Sequence, residues 1–166
     1  MNSDQFNDLP EWDDERIRQS KDEQGDEWKP DPTYDACKAL FAKWQEVVFL
    51  LKGIIGPFME QKEEGDDDMF SSIARELFMD SQIVGVKIKS SEAAGIYVVR
   101  MENASIIRKL AQEIASTLLL FAEETDADHQ HIEVVRNEIA AFRKLFIMWV
   151  GTFEKDEFTD EWGLFV

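Results

Sequence analysis

Apolar residues recur along most of the chain at alternating steps of three and four, the spacing that lines up one face of an α-helix. From residue 34 onward the series is Cys37, Leu40, Trp44, Val47, Leu51, Ile54 and Phe58, which predicts a first helix over about 34–62. Pro57 falls inside it, where its ring presses on the carbonyl four residues back and removes a hydrogen bond. That carbonyl belongs to Gly53, and the stripe resumes in phase at Phe58. A kink near Gly53 is therefore expected, with Pro57 opening a separate short helix as the alternative.

Gly65 and the triplet Asp66, Asp67 and Asp68 read as a turn and an acidic helix start, which the helix dipole favours. Phe70, Ile73, Leu77, Val84 and Ile88, with Ser81 in phase, then mark a helix over about 67–88. A single helix from 67 to 124 would be roughly 85 Å long, too long for a domain of this size to pack. The small and polar cluster from Lys89 to Gly95 is the expected place for a reversal. A third helix carries Tyr97, Met101, Ala104, Ile107, Ala111, Ile114, Leu118 and Phe121, its alanines inviting close approach by a neighbour. Residues 123–128 form the next turn, with Thr125 or Asp126 as the expected N-cap. The fourth helix, about 127–154, has the most regular stripe: Ile132, Val135, Ile139, Phe142, Phe146, Trp149 and Phe153.

Four stripes of similar length joined by short turns predict an all-α, up-and-down antiparallel four-helix bundle over 34–154. The β-branched run Ile96–Val99 is too isolated to build a sheet. Residues 1–33 hold Pro10, Pro30 and Pro32, many acids and no sustained apolar period. Such a composition buries too little surface to offset its ordering entropy, so it is expected to be an irregular tail, disordered or docked on the bundle. Pro32 and Thr33 prepare the first helix start. Residues 155–166 form a second acidic tail that closes on Trp162, Gly163, Leu164, Phe165 and Val166.

The net charge of −17 is unevenly placed. Residues 1–33, 60–68, 123–128 and 154–166 together carry −20, leaving the helix bodies at +3. Acidity thus belongs to tails and turns around mildly basic helices. Long-range repulsion disfavours nucleic acids and anionic lipid as partners. Cys37, the single cysteine, supports neither a disulfide framework nor a thiolate metal site. The first residues lack the basic and apolar regions of a secretory signal, and no run reaches the roughly 18 apolar residues of a membrane span. A cytoplasmic location is expected.

Catalytic constellations are sparse. His129 and His131 follow Asp126 and Asp128 by three residues, but at a helix start where a solvated cap is the simpler reading. The all-α nucleotide pyrophosphohydrolases need clustered carboxylates on facing helices; Glu60 with Glu63, and Glu123 with Asp126, depart from that spacing and fall at turns. No phosphate loop, dinucleotide glycine pattern or nucleophilic triad is present, and no metal or cofactor is expected. Arg100, at the edge of the third stripe, is expected to pair with an acid on a neighbouring helix. The alternative is an anion site shared with Arg108 or Arg136, and an enzymatic, small-ligand or metal-binding role would use that site or carboxylates at the helix ends.

Two features favour binding. Apolar residues at 145–150 and 47–51 occupy more than one helix face, so something besides the bundle interior can cover them. Three tryptophans lie in the tails, each after a glutamate: Glu11–Trp12, Glu27–Trp28 and Glu161–Trp162. Aromatic anchors among acids suit a basic-rimmed groove, and Lys87, Lys89, Arg100, Arg108, Lys109, Arg136, Arg143 and Lys144 supply candidate rims. The candidate binding residues are Trp12, Trp28, Trp162, Leu164, Phe165, Arg100, Arg108 and Arg136. Together they point to a non-catalytic interaction protein that binds a protein partner or a second copy of itself.

Overall fold

The computed structural model describes residues 9–22, 29–60 and 69–165, with 20–22 described in backbone alone. Five helices lie among them: α1 (Asp14–Asp22), α2 (Pro32–Glu60), α3 (Met69–Ala94), α4 (Tyr97–Glu124) and α5 (His129–Val150). The described residues contain no strand. The chain is all-α, as its periodicity requires, and the four long helices follow the four stripes. Helix α1 departs from the expectation of an irregular tail.

Each stripe is the buried face of its helix. Cys37, Leu40, Trp44, Val47, Leu51 and Ile54 of α2 are buried, as are Ala104, Ile107, Ala111, Ile114, Leu118 and Phe121 of α4. Helix α2 also buries Phe41, Val48 and Ile55, a second row beside the first. Facing it, α3 presents small side chains: Ser71, Ala74, Ser81, Gly85 and Ser91 are buried. A helix with large apolar knobs thus meets one with room for them. The buried serine hydroxyls are satisfied by main-chain carbonyls, Ser81 on Phe78, Ser91 on Lys87 and Ser71 across the interface on Phe58.

Cross-helix hydrogen bonds set the directions. Cys37 Sγ donates to Ile88 O, Trp44 Nε1 to Ser81 O at 2.8 Å and Ser71 Oγ to Phe58 O, so α2 and α3 run antiparallel. Thr33 bonds to Thr152 and Lys43 pairs with Glu138, which makes α2 and α5 antiparallel too. Helix α2 packs on α3 and α5, α3 on α4, and α4 on α5, while α1 reaches α3. No helix among the described residues is long and apolar enough to cross a membrane.

Boundaries differ from expectation where local chemistry decides them. Helix α2 starts at Pro32, a residue suited to a first helical position, with Asp31 accepting the Tyr34 N–H at 2.9 Å. It continues through Pro57 to Glu60, so no separate short helix begins there. Near the break in regular bonding, Gly53 lies against His131: a Cβ would come within 2.7 Å of the imidazole. The expected turn at Gly65–Asp68 and the helix end at 61–62 lie outside the described residues. Helix α3 runs past 88 through Lys89 and the two serines to Ala94, because Ser90 and Ser91 both bond back to Lys87 O inside the helix. The reversal is made by Gly95 alone, at φ +65°, followed by extended Ile96. Helix α5 is capped by Asp128, which accepts from Gln130 and His131, rather than by Thr125 or Asp126. Thr125 instead ends α4, its hydroxyl bonded to Phe121 O, and α5 stops at Val150 before Gly151.

Gly95→Ala is expected to destabilise the fold by about 1 kcal/mol, because a left-handed residue with a Cβ costs about that much. Gly95→Asn is expected to cost less. Urea denaturation monitored by circular dichroism checks the order; equal stability of all three chains contradicts the role of Gly95.

Candidate interaction surface

The segment before α2 is a strap across α2 and α3. Asp13 opens α1 by accepting the Arg16 N–H at 2.9 Å, and Leu9 and Ile17 are buried. Leu9 sits over Gly85 of α3, where an added Cβ would overlap the leucine side chain. Trp12 is half-buried, its ring 5.4 Å from Phe41 and 5.7 Å from Tyr34, and its Nε1 donates to Asp14 Oδ1 and the Tyr34 hydroxyl. Asp14 accepts from the Tyr34 hydroxyl and from Lys38 Nζ at 2.7 Å. The Lys38 ammonium and then the Tyr34 hydroxyl hold its carboxyl down to about 2. Lys89 lies over the Phe41 ring and donates to the Pro10 and Glu11 carbonyls; burial pulls its ammonium below the ordinary lysine value. Trp12 is therefore a docked anchor.

The segment after α5 has the opposite character. Phe153 packs edge-on against Trp149, and Asp156 then accepts the Tyr97 N–H at 2.8 Å. Ile96, the residue before α4, offers no side-chain cap, so Asp156 supplies one from 59 positions away. Beyond it Asp160 organises a tight turn: its carboxylate accepts from Trp162 N and Leu164 N, and its carbonyl from Gly163 N. Gly163 takes φ +74° and Phe165 φ +56°. This turn turns its apolar side chains outward, with Trp162 91% exposed, Leu164 61% and Phe158 56%. Phe165 is half-buried. Strap, turn and the Gly95 reversal all gather at the end of the helices where α2 begins.

Beneath them lies a buried polar layer. Glu92 of α3 is fully buried, and Arg100 of α4, with 13% of its side chain exposed, donates to it at 3.3 Å. Asn103 donates to Ser90 beside the pair. Arg100 thus joins an acid of a neighbouring helix. Arg108 is exposed two turns further along α4, and Arg136 stands on α5 with its Nε buried and unpartnered among the described residues. No contact draws the three arginines together, and Trp28 lies outside the described residues. Leu9, Asp14, Lys38 and Gly85 escape sequence reading, because a lone leucine, one carboxylate among many and a helical glycine carry no periodic signal.

Of the multi-face apolar runs, Val47, Val48 and Leu51 are interior, whereas Phe49 is 77% exposed and Ile147 and Met148 are exposed. An open cleft of about 490 Å³ between α2 and α5 is lined by Gln45, Glu46, Phe49, Leu50 and Glu138. At the far end a second, of about 470 Å³, lies between Pro57 and the Thr125–His131 turn. It gathers Asp126, Asp128 and His131, but Asp128 is engaged in capping α5. Among the described residues no three histidine, cysteine or acidic side chains form a group able to hold a metal ion. Comparison with protein-family models, with characterised proteins and with solved structures finds no match for the chain.

Arg100→Met is expected to destabilise the fold by about 3 kcal/mol, since it removes the guanidinium that pairs with the fully buried Glu92 carboxylate. Adding Glu92→Leu is expected to restore most of that loss, which a double-mutant cycle in urea measures. The strap gives a pH dependence. Docked Asp14 titrates near 2 against 3.8 when free, so its stabilisation is complete above about pH 4 and is lost as pH falls through 2. The Tm gap between wild type and Asp14→Asn is expected to close over that window.

Proposed function

We propose that this chain is a non-catalytic interaction protein, whose four long helices close into an up-and-down bundle and whose work is to bind a protein partner or a second copy. The observation that carries the reading is the Asp160 turn, which presents Trp162 and Leu164 to solvent among Asp156, Glu157, Asp160 and Glu161. An indole left outside while held in a hydrogen-bonded turn is the arrangement of a binding anchor, since little ordering entropy remains to be lost on docking. Its acids suit a partner with a basic rim around an apolar pocket. Trp12 shows what the same Glu-Trp pair does once a groove is within reach. The acidic periphery favours a protein partner over nucleic acid or anionic membrane.

Deleting residues 157–166 retains the Asp156 cap and is expected to leave the helical circular dichroism signal unchanged. It is expected to lower hydrophobic dye binding and to abolish self-association or partner capture, with Trp162→Ala alone weakening association by roughly 30-fold. Dye fluorescence and light scattering identical to those of the full chain overturn the reading.

A further inference from the structure

The seat of the strap has the parts of a peptide-binding groove. Residues 9–13 lie outside any helix, and Lys89 Nζ holds two successive main-chain carbonyls there, Pro10 O at 3.4 Å and Glu11 O at 2.5 Å. Contacts of that kind grip a chain whatever its side chains are. Specificity comes from three other places. Gly85 leaves a pit on α3, and the three atoms nearest an added Cβ there all belong to Leu9. Phe41 and Tyr34 form an aromatic shelf for Trp12, and Lys38 meets Asp14. Helix α1, with nine residues, is too short to persist unaided, so the strap's order depends on the groove.

We propose that the α2/α3 groove is a receptor for an acidic segment of a partner protein, bearing a leucine, a tryptophan three residues later and a carboxylate two residues beyond that. Residues 9–17 fill the site in cis until such a segment displaces them. Lys38, paired with Asp14, and Lys89 set the charge of the ligand. The chain's other Glu-Trp pairs do not fit, since Gly25 and Thr159 stand three residues before Trp28 and Trp162. Any untethered segment competes with a strap held at an effective concentration on the order of millimolar, so the partner's segment has to bind the groove more tightly than residues 9–17, which an identical strap from a second copy does not. The inference extends the reading as an interaction protein but uses a different face from the Asp160 turn, so the two fail separately.

The probe is a fluorescein-labelled peptide with the sequence of residues 7–19, and the readout is fluorescence polarisation against the full chain. The double variant Leu9→Ser/Trp12→Ser, which frees the groove, is expected to bind it at least tenfold more tightly than wild type. Adding Gly85→Leu, which fills the pit, is expected to remove that binding. A probe carrying alanine at the tryptophan is expected to lose it as well. Circular dichroism confirms that each variant is folded. In wild type, peptide at several times the strap's millimolar effective concentration is expected to lower hydrogen-exchange protection at the amides of 16–19, a readout that needs no variant. Equal binding by wild type and the freed variant, or unchanged strap protection, overturns the proposal. So does a doubling of wild-type mass with concentration that Gly85→Leu abolishes, which gives the groove to a second copy.

Discussion

Trp44 stands where three helices meet, and the rest of the structure is arranged around its burial. It is fully enclosed on α2, its Nε1 bonds to Ser81 O on α3, and its ring lies 4.7 Å from Phe142 on α5. A buried indole gains from an apolar surround and from an acceptor for its N–H, and Trp44 has both. Satisfying both fixes the rotation and register of α3 and α5 relative to α2. The buried face of α3 is the counterpart of that constraint, since Ser71, Ala74, Ser81 and Gly85 alternate with Leu77, Val84 and Ile88 and leave room among them for the large side chains of α2.

The same width of apolar surface on α2 explains the strap. Phe41 belongs to the second buried row of α2, beyond the reach of a single-stripe helix packing. Leu9 and Trp12 add to that cover, Asp14 meets Lys38, and Lys89 takes the Pro10 and Glu11 carbonyls. An acidic terminal segment therefore settles on the mildly basic helix bodies. In the segment after α5 Asp156 is spent on the start of α4, and the next aspartate, Asp160, shapes a turn whose Trp162 and Leu164 stay exposed. Two segments of similar composition thus meet different fates, one packed as cover and one left exposed.

The Glu92–Arg100 pair closes the polar end of the core. It joins α3 to α4 immediately beside the Gly95 reversal, where two helices enter and leave within a few residues and a buried charge can be met by another on the adjoining turn. Apolar residues there would pack as well. The ion pair instead links the last turn of α3 to the first turn of α4 across the reversal.

The sequence by itself determined the four long helices and their inward faces, because burial on a helix repeats every three or four residues and leaves a period that can be read. It also located the acidity in tails and turns. It did not show that α3 outlasts its stripe to Ala94, since Ser90 and Ser91 read as turn residues until their hydroxyls are seen bonded to Lys87 O within the helix. Nor did it separate Trp12 from Trp162, which share a preceding glutamate and an acidic setting. Their fates were decided in three dimensions, by whether Gly85, Phe41, Lys38 and Lys89 lay beneath the segment. Those four residues come together only when α2 and α3 pack, and a contact between helices leaves no period in either one.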